Sequence, residues 1–428
     1  MNAKGIGLVL LAGFAGLAFS GTVDFTKVAG KVRHELHSSG FGPMICSCPP
    51  SAIADIKEMN LLNARTHDWA LINPGQRVCD YFHIFPLRHL DAKDPKNYVF
   101  APTDYLLKRT RDETGLGIFF RLGTSIEHSG EKVHFNSLIP TDFDKVAESF
   151  AGTIRHYNKG WADGFNWGIR YWEIWNEPDG HNNMWCEPNE SENNDPARRK
   201  KFVRFFTTVL KRLKSEFPEI KVGGPALCSM RADYFTDLLT ACKEAGVAPD
   251  FISWHYYGDN PDVMIASAEK ARELCDSLGF NQCELILNEW HYLGCSWKEL
   301  RDPSPEIKKR VWSGPASHNG IDSACFTLSA LAKFQTSKLG QAYYYGCRHD
   351  GSWGYKGADN NKFKVWYALK IFGDIIRDTP VLCEPSFSEH LVVFPTKSAD
   401  GKAQRLLVVD YRGGKSEISL DICRRGRG

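Results

Sequence analysis

This chain lacks an excess of charge of either sign: 53 basic and 51 acidic side chains leave a formal net charge of +2. That balance excludes a broad basic face for nucleic acid and an acidic solvating tail. Internal repeats are missing, which removes solenoids and propellers, and an aromatic content of 12% removes disordered and fibrous classes. No glycine-rich phosphate loop follows the first strand pattern, which argues against a doubly wound nucleotide-binding sheet. Cys46 and Cys48 do not have a zinc spacing, and no second Cys or His pair completes a ligand set. Neither a metal nor an organic cofactor is expected.

The first twenty residues stand apart. Lys4 supplies a positive start, Gly5 to Phe19 is apolar, and Ala18 and Ser20 put small residues at −3 and −1 of a cleavage after Ser20. This is the pattern of a secretory leader, with an N-terminal membrane anchor as the alternative. No cysteine sits at the cleavage point to suggest a lipoprotein. A secreted or periplasmic protein is expected, with no membrane partner after cleavage. Export would permit disulfides among the 13 cysteines, for instance between Cys275 and Cys283 across a helix-to-strand loop. The odd count leaves at least one thiol unpaired.

What is present is a 428-residue chain, 43% hydrophobic and 24% charged, long enough for one large barrel and a small appendage. From residue 30 onward short apolar runs alternate with amphipathic stretches, the rhythm of a parallel sheet. Strands are expected near Gly42–Cys46, then at Leu61–Thr66, Gly117–Leu122, Arg170–Trp175, Ile220–Gly224, Phe251–His255, Glu284–Leu287 and Gln341–Tyr345. Helices are expected over Ser51–Met59, Pro196–Glu216, Ala232–Ala245, Val263–Leu278 and Lys362–Ile376. The fold class is therefore α/β, a (β/α)8 TIM barrel. Long loops at 69–108 and 293–315 would shape its C-terminal mouth. Beyond Pro380 the pattern alternates like antiparallel strands at Leu391–Phe394, Arg405–Tyr411 and Glu417–Ile422. The division is a leader over 1–20, a barrel over 21–378 and a small β appendage over 379–428, joined by strand-forming residues within 22–36.

Two carboxylates stand out by position. Glu177 ends the strand Tyr171-Trp172-Glu173-Ile174-Trp175-Asn176 and precedes Pro178, which turns the chain out of the strand at the barrel mouth. Glu289 ends the apolar run Leu285-Ile286-Leu287-Asn288 and is followed by Trp290, a candidate wall of the site. Two carboxyl groups about 5–5.5 Å apart are what a retaining glycosidase needs, one as acid/base and one as nucleophile. Asn176 is placed to bind a sugar 2-hydroxyl. Either Glu alone is better read as an ion-pair partner; the pair in these surroundings favours chemistry.

The run Trp172-Glu173-Ile174-Trp175-Asn176-Glu177-Pro178-Asp179 resembles the acid/base signature of the retaining barrel glycosidases of clan A. It is most similar to glycoside hydrolase family 39, which contains β-xylosidases and α-L-iduronidases. Arg65-Thr66-His67 resembles that family's strand-two Arg-x-His, and Phe251-Ile252-Ser253-Trp254-His255-Tyr256-Tyr257 its strand-six motif. Asn288-Glu289-Trp290 resembles its nucleophile strand, although Asn288 stands where the family more often has Thr. The resemblance runs over about residues 40 to 375. It implies Glu177 as acid/base, Glu289 as nucleophile, His67 and Asn176 on the sugar, and His255 and Tyr257 orienting the nucleophile. Arg65 either binds substrate or pairs with a carboxylate beneath the site.

The loop after strand eight, Cys347-Arg348-His349-Asp350-Gly351-Ser352-Trp353, matches neither family activity. Arg348 is a candidate for an acidic sugar, and Trp353 for stacking on a ring or for packing the loop. Glu127 and His128 are further specificity candidates. The expected partner is an oligo- or polysaccharide, cleaved by double displacement, with exo-acting β-xylosidase-like action first. An endo-acting glycosidase or a transglycosylase of the same clan is the alternative, and a non-catalytic carbohydrate-binding barrel the rival of another class.

Overall fold

The computed structural model describes residues 7–11, 19–40, 50–67, 77–125, 138–180, 185, 196–348, 353–357, 359–413 and 418–423. Eight parallel strands close into a barrel. They are β1 (Ser38–Ser39), β2 (Asn63–Arg65), β3 (Gly117–Leu122), β4 (Tyr171–Ile174), β5 (Lys221–Leu227), β6 (Phe251–Gly258), β7 (Glu284–Tyr292) and β8 (Gln341–Tyr344), in that order around the ring. The TIM barrel expected from the alternating pattern is thus present, with seven strands overlapping their expected positions. The first strand differs. Gly42–Cys46 lies outside the described residues, and the barrel position belongs to Ser38–Ser39, which pair with Tyr343–Tyr344 and with Ala64. Two buried serines carry no apolar run, so hydrophobic patterning passes over them.

Local signals explain the helices. In Pro261–Ser277 the Asn260 side chain accepts from the Asp262 amide and Pro261 occupies the first turn. In Phe143–Lys159, Asp142 accepts from the Lys145 amide, and Gly160 at φ +71° ends the helix in the left-handed region. The helices over Pro196–Glu216, Ala232–Glu244 and Lys364–Asp378 form within two residues of their expected bounds. Among the described residues no helix is long and apolar enough to cross a membrane.

The barrel lumen is filled in layers. Phe119, Phe251, Ile286 and Tyr343 form an apolar floor against Tyr171. Two residues further along the same strand faces stand Glu173, Ser253 and Asn288, all fully buried. The floor thereby shields a polar layer from the other end of the barrel. Close strand approach depends on Gly223 of β5, where a Cβ would lie 2.1 Å from the Phe251 carbonyl oxygen.

Strands Val381–Cys383, Leu391–Lys397 and Gln404–Asp410 form an antiparallel sheet that Val28–Lys31 extends at one edge. Gly7–Leu11 pairs in parallel with Gln404–Asp410, and Phe19–Asp24 in parallel with Ile418–Cys423. The appendage is therefore mixed rather than purely antiparallel, because N-terminal segments complete it. Its own core joins Val23 and Phe25 to Leu391, Val393, Leu406 and Val408. It braces the barrel mouth: the Tyr411 hydroxyl donates to the Asp259 carbonyl at 2.6 Å, and Arg412 pairs with the Asp259 carboxylate at 2.6 Å.

Cys79, Cys228, Cys242, Cys275, Cys283, Cys295, Cys325, Cys347 and Cys383 are free thiols. Cys275 and Cys283 do adjoin, both buried, but as hydrogen-bonded side chains and not as the expected covalent bridge.

Candidate active site

The site is built on the polar layer. Arg65, at the end of β2, is fully buried and reaches three partners at once. Its Nε donates to Glu173 at 2.7 Å, Nη2 to the Asn176 Oδ1 at 2.8 Å, and Nη1 to Glu289 at 3.1 Å. Glu173 also accepts from Ser253 and from the Asn288 amide, each at 2.7 Å. Burial works against the Arg65 charge, but Glu173 and Glu289 beside it more than compensate and hold it protonated. One fixed cation thus anchors three strand ends.

At the end of β4 the backbone leaves regular geometry. Trp175 (φ +75°) and Glu177 (φ +45°) occupy the left-handed region, as does Ala226 (φ +58°) on β5, and the Glu177 amide donates to the Ala226 carbonyl at 2.9 Å. Left-handed backbone at a non-glycine residue costs about 1–2 kcal/mol, and packing must hold it. Trp175 supplies that packing, buried edge-on against Trp185 and Phe205 with ring centroids at 5.1 and 5.5 Å. Gly123 makes room for it, since a Cβ there would lie 2.6 Å from the indole.

Glu289 projects from β7, beside a register shift in its pairing with β6, and is 4% exposed. The Tyr257 hydroxyl donates to its Oε1. On Oε2 converge Arg65, His255 Nε2 at 3.6 Å and His67 Nε2 at 3.8 Å. The other His255 nitrogen, Nδ1, lies 2.9 Å from Glu177 Oε1. One oxygen of each carboxylate and one His255 nitrogen all lie within 4.8 Å of one another.

Electrostatics follow from burial. It pushes the Glu289 carboxyl up, opposed by His255 and Arg65 and by the Tyr257 hydrogen bond, with a net upward shift. It pushes His255 down against the pull of Glu289, and His67 well down with help from Arg65 and Arg121. Both imidazoles are therefore neutral at neutral pH. Burial and the Glu289 charge push Tyr257 far up, so it stays a donor.

The structure brings together Glu177, Glu289, Arg65, His67, Asn176, His255 and Tyr257. Asn176 keeps its Nδ2 buried with no hydrogen-bond partner among the described residues, a donor left over after Arg65 has taken the oxygen. Trp353 is half-buried in an aromatic cluster over the site, with ring centroids 5.7 Å from Tyr257, 5.4 Å from Tyr345 and 4.1 Å from His318. Trp290 stands elsewhere than expected. At 1% exposed it packs on Phe334, Phe326 and Tyr344, because a strand turns neighbours to opposite faces and Glu289 already faces the lumen. Arg348 is half-buried, its carbonyl accepting from the Tyr355 amide at 2.8 Å. Glu127 and His128 lie outside the described residues.

Sequence reasoning passed over Glu173, Tyr345 and Trp297. Glu173 shares the inward face of its strand with Tyr171, which packs on the lumen floor, and that face is a lumen only once the sheet has closed. Trp297 is 44% exposed and meets Tyr257 at 5.2 Å. Glu177, His255 and Glu289 are spaced to ligate a cation, but the Arg65 guanidinium already neutralises Glu289 there and would repel a second positive charge.

Residues 151–276 match the family model "Glycosyl hydrolases family 39". A β-xylosidase of Geobacillus stearothermophilus is 30% identical over 135 residues, 30% of this chain and 24% of that protein. The match thus spans about a quarter of that relative's length. Among solved structures, a glucosidase from Croceicoccus marinus superposes with a TM-score of 0.69 at 22% identity, covering 92% of this chain and 79% of the other. A family 39 enzyme from Xanthomonas axonopodis pv. citri superposes at 0.61 with 15% identity, covering 88% and 73%. The two structures share the fold. The resemblance read from the motifs is met in a family model and a curated relative.

Proposed function

With a family 39 match across strands β4 to β6 as the premise, we propose that this chain is a retaining O-glycoside hydrolase acting on an oligo- or polysaccharide. The observation that carries the reading is the convergence of Glu177, His255 and Glu289 within 4.8 Å. Retaining enzymes hold their carboxyl groups about 5–5.5 Å apart, and inverting ones about 6.5–9.5 Å apart to admit a water between them.

His255 ties the two protonation states together. Being neutral, it carries one proton. With that proton on Nε2 it faces the Glu289 carboxylate, and Nδ1 then accepts from a protonated Glu177. This tautomer favours an ionised nucleophile and a protonated acid at once. In the first step Glu289 bonds to the anomeric carbon as the glycosidic bond breaks, and the Glu177 proton passes to the leaving oxygen. In the second, the Glu177 carboxylate takes a proton from water, whose oxygen bonds to the anomeric carbon as the bond to Glu289 breaks. Glu289 is free again and Glu177 is protonated. The unused Asn176 Nδ2 is the donor for the sugar 2-hydroxyl, a contact that strengthens in the transition state.

Exo-action on a β-xyloside is our first specificity reading. The crowding of Tyr257, Tyr345, Trp353 and Trp297 on one side of the carboxylates supports a closed pocket over an open groove. A leader over 1–20, a barrel over 21–378 and an appendage over 379–428 complete the reading, with the protein secreted or periplasmic; cleavage after Ser20 would take the Gly7–Leu11 strand off the edge of the appendage.

The test is hydrolysis of aryl glycosides and polysaccharides by wild type, Glu289→Ala and Glu177→Ala, with NMR of the first-formed anomer. The expected result is retention in the wild type and loss of turnover in Glu289→Ala on every substrate. Glu177→Ala still releases one equivalent of an aryl group that leaves without a proton, then turns over slowly until a small anionic nucleophile such as azide is added in place of activated water. Inverted product, or undiminished turnover in Glu289→Ala, sinks the mechanism; tight sugar binding without turnover favours the binding barrel.

A further inference from the structure

Directly after Glu177, Pro178 and Asp179 wall a cavity of about 480 Å³, closed on other sides by the first turns of helices Pro196–Glu216 and Ala232–Glu244. That volume is in the range of small-molecule sites. The lining is basic overall, with Arg198, Arg199, Lys200 and Arg231 against Asp179 and Asp237. Arg199 is held by Asp237 at 2.6 Å and Asp233 at 2.8 Å, so it is a fixed wall. Lys200 is exposed, and the dipole of the 21-residue helix adds a positive end.

Two buried polar atoms of this lining are unmatched among the described residues. The hydroxyl of Tyr234, a residue 2% exposed, makes no hydrogen bond. Neither does Asp179 Oδ2, whose nearest cation is Arg231 at 3.9 Å. A buried donor and a buried acceptor at one cavity call for a ligand that offers both, as a sugar hydroxyl does. Asp179 also communicates with the acid/base. Its Oδ1 accepts from the Cys228 amide at 3.0 Å, and burial and the charges of Glu177 and Asp179 together push the Cys228 thiol up.

We propose that this cavity binds one anionic sugar unit in the leaving-group part of the substrate, with ring hydroxyls on Asp179 and Tyr234. Its carboxylate or sulfate lies on Lys200, Arg198 and the helix N-terminus. Only the assignment to the leaving group rests on the glycosidase reading: Glu177 protonates the departing oxygen, so the leaving group lies on its side.

Calorimetric titration of the full chain with glucuronate, glucose 6-sulfate, glucose and inorganic sulfate tests this, in wild type, Tyr234→Phe, Lys200→Gln and Glu289→Ala. One acidic sugar should bind at least about tenfold more tightly than glucose or sulfate. Tyr234→Phe and Lys200→Gln should each weaken it by about tenfold with unchanged melting temperature, and Glu289→Ala should leave it intact. Whichever acidic sugar binds names the carboxylate or the sulfate. Equal binding of glucose, inorganic sulfate as tight as its sugar ester, or no binding overturns the proposal. Loss in Glu289→Ala does so too, since the probe would then sit between the catalytic carboxylates. Should Tyr234→Phe misfold, the exposed Lys200→Gln variant still decides. A wild type that binds the acidic sugar yet hydrolyses nothing defeats the glycosidase reading alone.

Discussion

Arg65 and Glu289 form a buried ion pair, Nη1 to Oε2 at 3.1 Å, and the same guanidinium grips Glu173 at 2.7 Å. Removing the cation strands two buried carboxylates. Arg65→Met should cost about 3–5 kcal/mol in chemical denaturation. Arg65→Lys should fold, yet lose about 10²-fold in kcat/KM, because an ammonium cannot make the three-way fork. Full activity in the Lys variant would show that the fork is not needed.

Tyr257 acts on Glu289 without a charge of its own. Its hydrogen bond favours the ionised form of Glu289, so Tyr257→Phe should push that carboxyl further up. The acid limb of the kcat/KM profile then moves to higher pH, and kcat falls about 10- to 100-fold. A limb that stays in place while kcat falls would mean that Tyr257 contacts substrate instead.

Trp353 packs on Tyr257, Tyr345 and His318 over the site. If it stacks on the bound sugar, Trp353→Ala should raise KM by about tenfold with kcat nearly unchanged, the mark of binding shared by ground and transition states. A fall in melting temperature with KM unchanged would instead assign it to packing the loop.

Acid should weaken the fold through a residue far from chemistry. His37 is buried against the Met59 carbonyl at 2.9 Å, and burial pushes it down to about 4 from an ordinary 6.5. Unfolding frees it to take a proton that the folded state refuses. Its stabilisation is full above pH 6.5 and is lost as pH falls toward 4, about 3 kcal/mol in all. Denaturation of wild type and His37→Gln across that window checks it; parallel curves would exclude His37 as a contributor.

Much of the site was legible because its strand ends break patterns. Pro178 interrupts an alternating strand right after Glu177, and Glu289 is the lone acid closing an apolar run, so both announce themselves locally. Arg65, His67 and His255 were legible only through motif resemblance, since a buried His or Arg has no periodic signature. Glu173 was missed because a polar strand residue ordinarily faces solvent; only closure of the sheet turns that face into a lumen. Ser38–Ser39 was missed as a strand because burial on both faces was met there by small hydroxyl side chains. Trp290 was misread as a wall because adjacency to Glu289 in sequence means the opposite face in a strand.

Periodicity, caps and the Pro after Glu177 depend on neighbours within a turn or a strand, and those the order of residues determined by itself: a βα alternation, its helices, and two carboxylates at strand ends. Which groups meet is another matter. Arg65 and Glu173 are 108 positions apart and become 2.7 Å neighbours only when eight strands close with one shared register. The place of His255 between two carboxylates, the upward shift of Glu289 and the cavity behind Asp179 all depend on that closure. Desolvation and charge act through space, and the distances through space belong to the tertiary structure.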